Sequence, residues 1–427
     1  MKKIKIADII ILIILFILPT LSCAIEFPAL SDNSLPPPIT VNMTIDKAIQ
    51  YRTSIREFTN ESISDEELST ILWSAYGLRG DGNRTVPAIN EKHGVKIYVL
   101  KEEAVYLYDY INHSLVFYKD GDYRYIGQYD APIQLGLIWD KEQNSNENFV
   151  GAEMGEIGQN IYFMSSALEI GTVATAEVPS PLSEIDLPSN EEGKIVMPIG
   201  YPTQPANFLF LPMWFSFLPR VKDSGVTLST VLEERTQNTV FTNEKINRKM
   251  LSQLLWSSYG YSYFLDRSDF ELDYIERHRA VPSAHGYYPL RIYAVSEKGI
   301  FRYIPGLYSS DTIGLPIVTY FLRIRTGDFR EELSESTASF TADAPLSIVS
   351  VLNLKKANRT DDLSGEELRW IWNYEAGACA QNALLDATAW GLCGDIVPVN
   401  DIEPILSLLR LNKNFIPLYA VSVGYSI

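Results

Sequence analysis

The sequence predicts an α+β fold written twice along one chain, and three observations carry that reading. The passage LSTILWSAYGL at 68–78 returns as LSQLLWSSYGY at 251–261, with 7 of 11 positions identical at an offset of 183. Alternating apolar runs have the period of strands: VKIYVL at 95–100 with LRIYAV at 290–295, and IQLGLIW at 133–139 with LSIVSVL at 346–352. The segments 151–170 and 375–391 carry Ala, Gly and Leu at helical spacing without proline, which marks them as central helices. Helices mixed with mostly antiparallel strands define the α+β class.

Taken in order, the chain opens on MKKIKIADIIILIILFILPTLSCA: three lysines, an apolar run, then Pro19 and the small residues Ser22, Cys23 and Ala24. That is the order of a secretory signal over residues 1–24, with Ser22 and Ala24 as a small-x-small cleavage site. An uncleaved anchor stays open, because Ile9–Ile25 is apolar and only slightly short for ~30 Å of hydrocarbon. Lipidation of Cys23 stays open too, although Thr20 stands where a lipobox usually has Leu. Each alternative places the protein outside the cytoplasm, secreted or anchored to the outer face of the cell membrane. Export makes the Asn-x-Ser/Thr triplets at Asn42, Asn60, Asn83, Asn112 and Asn358 candidate glycosylation sites.

An extension over 25–47 leads to the first copy at 48–205. A helix is expected to carry YRTSIREF at 51–58, and Ser64-Asp65-Glu66-Glu67 reads as an N-cap and acidic first turn of a second helix, 65–76. Residues 206–226 combine prolines with a dense apolar stretch, too greasy for a free linker and expected to pack along the interface of the two halves. The second copy, 227–427, repeats the plan. Val86-Pro87 meets Val281-Pro282 at an offset of 195, Asp130-Ala131-Pro132 meets Asp343-Ala344-Pro345 at 213, and Gly200-Tyr201 meets Gly424-Tyr425 at 224. Glu153-x-Gly155 with Gln159-Asn160 meets Glu375-x-Gly377 with Gln381-Asn382 at 222. Offsets that rise steadily are those of collinear copies with loop insertions in the second.

At 427 residues, 46% hydrophobic and 12% aromatic, the chain has ample material for two cores. Its net charge of −17 becomes −19 without residues 1–24, a surface that repels nucleic acid and anionic lipid. Nucleic acid is therefore not an expected partner, and an anionic cofactor needs a locally basic pocket. Beyond residue 24 only Cys379 and Cys393 remain. On a helix rising ~1.5 Å per residue they lie about 20 Å apart, too far for a disulfide, so buried thiols are expected. His285 has no second His or Cys at ligand spacing, and no metal is expected.

Two passages carry chemistry. Arg52-Thr53-Ser54-Ile55-Arg56 places two guanidinium forks at i and i+4 of a helical face beside a hydroxyl, a set suited to phosphate. A solvated helix face is the alternative. In HRAVPSAHGYYPLRIYAV, Pro282-Ser283-Ala284-His285-Gly286 is a turn of small residues that lets backbone amides approach a flat ligand. A plain β-turn with aromatic packing is the alternative there.

Together these passages resemble the nitroreductase family of flavoproteins, and within it the SagB-type dehydrogenases. Those sequences look like RRSxRxF, LLWAAxG, RTVPSAGxxYPLxxYVV, YxYDxxxHxL…GDxR, an AP-initiated strand and ExGxxxQNxxLxAxxLG. The matching stretches here are YRTSIREF, ILWSAYG, RAVPSAHGYYPLRIYAV, YLYDYINHSLVFYKDGDYR, DAPIQLGL and EAGACAQNALLDATAWGL, which cover nearly all of both halves. The resemblance implies a fold that dimerises with FMN at the interface, its phosphate held by RxSxR of one protomer and the PSAG turn supplied by the other. In a tandem chain it implies a monomer acting as an intramolecular pseudo-dimer.

Copy one keeps Arg52, Ser54 and Arg56, but its turn reads Pro87-Ala88-Ile89-Asn90. Copy two keeps Pro282-Ser283-Ala284 and Tyr288-Pro289, but its phosphate passage reads Arg235-Thr236-Gln237-Asn238-Thr239. The implied arrangement is one composite flavin site. Arg52, Ser54 and Arg56 take the phosphate and ribityl or ring oxygens, Thr53 contributes backbone, and Pro282, Ser283 and Ala284 cover the flavin from copy two. Thr175 and Ala176, with Glu177, fall in a loop near the isoalloxazine, and Tyr288 orients substrate or a proton, a core tyrosine being the alternative. The implied activity is an FMN-dependent oxidoreductase passing electrons from a small-molecule donor, NAD(P)H in most of the family, to a nitroaromatic or quinone-like acceptor. The Lys-Tyr pair of the azoline-oxidising members reads Asn373-Tyr374 here, and PTQP after Tyr201 lacks the family's basic phosphate contact. A non-catalytic flavin-binding protein and a cofactor-free interaction protein are the alternatives.

Overall fold

A computed structural model of the chain describes residues 34–206, 208–209, 218–219, 221–266, 275–306, 319–359 and 365–427. The expected signal or anchor, and residues 207, 210–217 and 220 of the linker expected at the interface, lie outside them. Residues Leu35–Ile427 cluster as one unit.

In the first copy, helix α1 (Ile45–Tyr51) is capped by Thr44, whose hydroxyl accepts from the Lys47 amide. Helix α2 (Asp65–Tyr76) opens on a capping box, with Ser64 accepting from the Glu67 amide and the Glu67 carboxylate accepting from the Ser64 amide. Strands β1 (Val95–Leu100), β2 (Ala104–Asp109), β3 (Ser114–Asp120), β4 (Ile133–Asp140) and β5 (Glu191–Ile199) form an antiparallel sheet in the order β3-β2-β1-β4-β5. Between β4 and β5 runs the central helix α3 (Glu147–Ala167), buried without a break from Val150 to Ser165. Burial all round explains why its Gly and Ala are spread over every face instead of forming one apolar stripe.

After the linker strand β6 (Phe208–Leu209), the second copy follows as α4 (Leu228–Glu234), α5 (Arg248–Tyr259), β7 (Tyr261–Asp266), β8 (Ile275–Arg279), β9 (Leu290–Ser296), β10 (Gly299–Ile304) and β11 (Tyr320–Thr326). It continues with α6 (Arg330–Ser334), β12 (Leu346–Asn353), α7 (Leu354–Ala357), α8 (Arg369–Ala389), β13 (Cys393–Pro398), α9 (Ile402–Leu408) and β14 (Phe415–Gly424). Its main sheet runs β11-β10-β9-β12-β14-β13, the order of the first sheet with β13 added at one edge. Strands β6, β7 and β8 form a separate small sheet with no counterpart in copy one among the described residues.

The copies meet about a pseudo-twofold axis. Thr44 bridges Thr227, its own equivalent, and the Ile45 amide donates to Val226 O at 3.1 Å while the Leu228 amide donates to Met43 O at 2.8 Å. The central helices α3 and α8 cross where Gly155 and Gly377 stand. A Cβ on Gly155 would overlap the carbonyl oxygen of Tyr374, and one on Gly377 would overlap that of Ala152. One hydrophobic core runs through both copies, with Leu228, Trp256, Trp370 and Leu385 packed among the buried residues of copy one. Cys379 and Cys393 are free and buried.

One expectation is corrected. The passage YRTSIREF is not helical beyond Tyr51: Arg52 is the C-cap residue, with φ −52° and ψ 118°. The Ile55 amide donates to Thr172 O at 3.0 Å, so the strand-like path after Arg52 is held by a distant loop, not by the helix. Arg52 and Arg56 therefore share no helical face. Arg52 is buried and Arg56 is exposed.

Candidate active site between the two copies

The end of α1 delivers Arg52 into the interface. Its side chain is 1% exposed, and its Nη2 donates at 3.3 Å to the carbonyl of Arg279, in copy two, three residues before Pro282. The guanidinium lies 5.1 Å from the centre of the Tyr162 ring. Its Nε and Nη1 have no partner, and no carboxylate among the described residues pairs with it. A buried cation with two free donors is a costly arrangement that an anion would relieve.

Tyr162 on α3 is a hub. Its hydroxyl lies 3.2 Å from Ser54 Oγ and accepts from the Ala174 amide at 2.8 Å. Ser54 is thereby fixed beside the arginine, and the loop holding Thr175 is tied to the same point. Thr175 itself is spent on its own sheet, its amide and hydroxyl both donating to Val196 O, and Ala176 is exposed. Arg56 reaches back from the exposed side, Nη1 donating to Ser54 O at 3.2 Å.

From copy two comes Arg279 at the end of β8. Buried to 9% exposure, it lies 4.4 Å over the Tyr259 ring and 4.8 Å over the Tyr288 ring, and its Nε is free. The turn that follows is pinned on both sides. Gln159 of copy one donates to Ala280 O at 2.9 Å, and Asn382 of copy two donates to the same oxygen at 3.2 Å. The mirror contact exists as well, Gln381 donating to Thr85 O at 3.2 Å, so the Gln-Asn pairs hold each copy's turn against the other copy.

Pro282, Ser283 and Ala284 are half-buried, as a covering turn requires, but the Ser283 hydroxyl faces inward. It donates to Glu375 Oε2 at 2.6 Å and accepts from the Tyr288 amide at 2.9 Å, while Glu375 Oε1 accepts from Tyr259. Ser283 thus shapes the turn and its side chain is not free for a ligand. Burial pushes the Glu375 carboxyl up to about 7, against the pull of its hydrogen bonds from Ser283 and Tyr259. Tyr288 has a left-handed backbone (φ 46°), and burial raises its phenol while Arg52 and Arg279 act in the opposite direction. The structure brings Arg52, Ser54, the Pro282 turn and Tyr288 to one crevice, leaves Thr53 half-buried and Arg56 exposed beside Ser54, and sets Thr175 and Ala176 beyond Tyr162.

The match to the nitroreductase family covers residues 49–185 and 232–425. The chain belongs to the nitroreductase family. It is a nitroreductase-family oxidoreductase carrying the family's domain twice. A putative nitroreductase of Methanocaldococcus jannaschii is 29% identical over 179 residues, 36% of this chain and 90% of the relative. The crystal structure of a putative nitroreductase from Anabaena variabilis shares the fold across both copies, with a TM-score of 0.65 over 94% of this chain and 95% of its own at 14% identity. A putative nitroreductase from Desulfovibrio desulfuricans, solved in complex with FMN, is 21% identical over 40% of this chain and 92% of its own, with a TM-score of 0.29.

Arg279, Tyr162 and Gln159 are the site residues that sequence reasoning passed over. A signal for Arg279 was present, since Arg84 and Arg279 stand at the same offset of 195 as the Val-Pro pairs beside them. Tyr162 offered none, because its counterpart in copy two is Leu384 and its role depends on a crossing of chains far apart in sequence.

Proposed function

We propose that this nitroreductase-family chain is an exported FMN-dependent oxidoreductase of the SagB type with one composite flavin site. The observation that carries the reading is Arg52: a buried guanidinium from copy one, with Nε and Nη1 free, hydrogen-bonded to the backbone that leads into the Pro282 turn of copy two. The residues fit the group. Arg52 and Ser54 would hold the phosphate, with Arg279 as a second buried cation, and Pro282, Ser283 and Ala284 would cover the ring through backbone and small side chains. When bound, FMN supplies hydride acceptance and donation between an electron donor and an acceptor.

The chain's own residues do the positioning. Tyr162 fixes Ser54 and the loop before Thr175, Gln159 and Asn382 fix the turn, and Glu375 holds the Ser283 hydroxyl inward. Tyr288 lies 4.8 Å under the Arg279 guanidinium, and its phenol is proposed to orient a small acceptor. NAD(P)H is the proposed donor and a nitroaromatic or quinone-like compound the proposed acceptor. The order of residues 1–24 supports export, and the ordered motif set in both halves supports the SagB type.

The test is the visible spectrum of the purified chain with and without Arg52→Ala. The intact protein is expected to carry flavin that NADPH bleaches, and the variant to lose at least nine-tenths of it while staying folded, since a charged hydrogen-bonded contact is worth about 1.5–3 kcal/mol. Full flavin retention in the variant would remove Arg52 from the site.

A further inference from the structure

The second crevice between the copies is furnished differently from the first. Arg235 is the equivalent of Arg52 at the offset of 183, is fully buried, and donates through Nη2 to Arg84 O at 3.3 Å, the mirror of the contact from Arg52 to Arg279. It too leaves Nε and Nη1 free. Around it, however, acids stand where the first crevice has apolar residues. At the offset of 222, Ala378 in the first crevice corresponds to Glu156 in the second, and Val173 corresponds to Asp395.

Glu156 is fully buried and Asp395 is half-buried. Asp395 Oδ1 accepts from Gln237 at 3.2 Å, and Gln237 is the counterpart of Ser54, so Asp395 is tied to the passage that corresponds to the phosphate motif. Glu156 is 0% exposed, and neither carboxyl oxygen has a partner. The loop 79–83 closes the crevice from copy one. Arg79 Nη1 donates to the carbonyl of Arg235, its Nη2 pairs with Asp81 at 3.0 Å, and the Gly80 amide donates to Glu233 Oε1 at 2.7 Å. Copy two has Ser262 where copy one has Arg79. The charged groups nearest in effect to Arg235 are Arg79, Asp395, Glu156 and Asp81.

We propose that Glu156 and Asp395 are specificity determinants that bar an anionic phosphate group from the second crevice, beside the buried Arg235. This rests on the reading of Arg52 as a phosphate site. Acidic side chains in place of alanine and valine bring bulk in either protonation state and like charge when ionised, and like charges in a buried setting repel strongly. Loss of Ser and Arg from the passage at 235–239 weakens binding there, and the acids turn weak binding into exclusion.

The experiment counts phosphate sites, taking bound FMN from its absorbance and added inorganic phosphate from calorimetry, in the unaltered chain and in the Glu156→Ala, Asp395→Val variant. The variant is expected to hold one site more than the unaltered chain, with affinity for the added site at least about 100-fold above any residual binding before the change. Adding Arg235→Ala is expected to abolish the gain. A folded variant with no additional site overturns the proposal, as does an unaltered chain that already holds two. A count rising from none to one supports the exclusion and removes the Arg52 reading; a count fixed at one does the reverse. Should the double variant not fold, Glu156→Gln, Asp395→Asn keeps the shapes and is expected to admit the second phosphate more weakly, and no gain there is equally contradictory.

Discussion

Arg52 is 1% exposed, yet two of its three guanidinium nitrogens find no partner in the folded chain. A protein built for stability alone would pair that cation or replace it, because breaking or omitting one half of a buried ion pair costs about 3–5 kcal/mol. Under the proposed reading these free donors, with no acid beside them of the kind that stands near Arg235, are what a phosphate would take, and removing them is the change with the largest expected effect on flavin content. A second prediction at this scale concerns protons. Asp386 is buried beside Asp46 and is pushed up to about 7, chiefly by burial and then by that neighbour. The folded chain holds a proton there that the unfolded chain releases near pH 4, so the stability this group contributes is complete below about pH 4 and is lost as pH rises through about 7. Asp386→Asn keeps the oxygen that accepts from Trp390 and removes the titration. Its melting temperature is expected to fall less between pH 5 and pH 8, with a gain of about 2 kcal/mol at pH 8. Equal slopes in the two proteins would contradict the assignment.

The elements that could be read from sequence are those whose signals are local. Helix α2 begins where Ser64 and the acidic turn say it should, because capping involves residues three apart. The strand pairs 95–100 and 133–139 were legible for the same reason, their period being visible within six residues. The arginine passage was not, because the bond that ends α1 comes from Thr172, more than a hundred residues away. The inward turn of Ser283 was equally hidden, since its partner Glu375 lies on α8. Helices α3 and α8 were recognisable, but the reason for Gly155 and Gly377 was not: it is the approach of each helix to the other's carbonyls. Gly377→Ala is expected to lower stability by about 3 kcal/mol, seen as an earlier urea midpoint, because the overlapped atom is backbone and cannot turn aside. An unchanged midpoint would show that the helices separate without cost.

At the scale of the whole molecule, duplication has let a twofold assembly become asymmetric. In a homodimer every crevice is identical, whereas here one chain encodes two crevices with independent residues. The backbone contacts across the pseudo-dyad are kept in both directions, from Thr44 and Thr227 to the paired Gln-Asn contacts. What differs is chemistry: Glu156 and Asp395 stand near Arg235, and their counterparts at the offset of 222 are Ala378 and Val173. The number of copies was legible in the repeated passages, and the complementary loss of motifs pointed to one composite site. The acids that furnish the other crevice were not, because only the fold shows which helix faces which arginine. The most direct test of the account is the molar ratio of FMN to polypeptide in the purified protein, from its visible spectrum and chain concentration after saturation with FMN and removal of excess. The account predicts a ratio of one; a ratio of two, or no bound flavin at all, would contradict it.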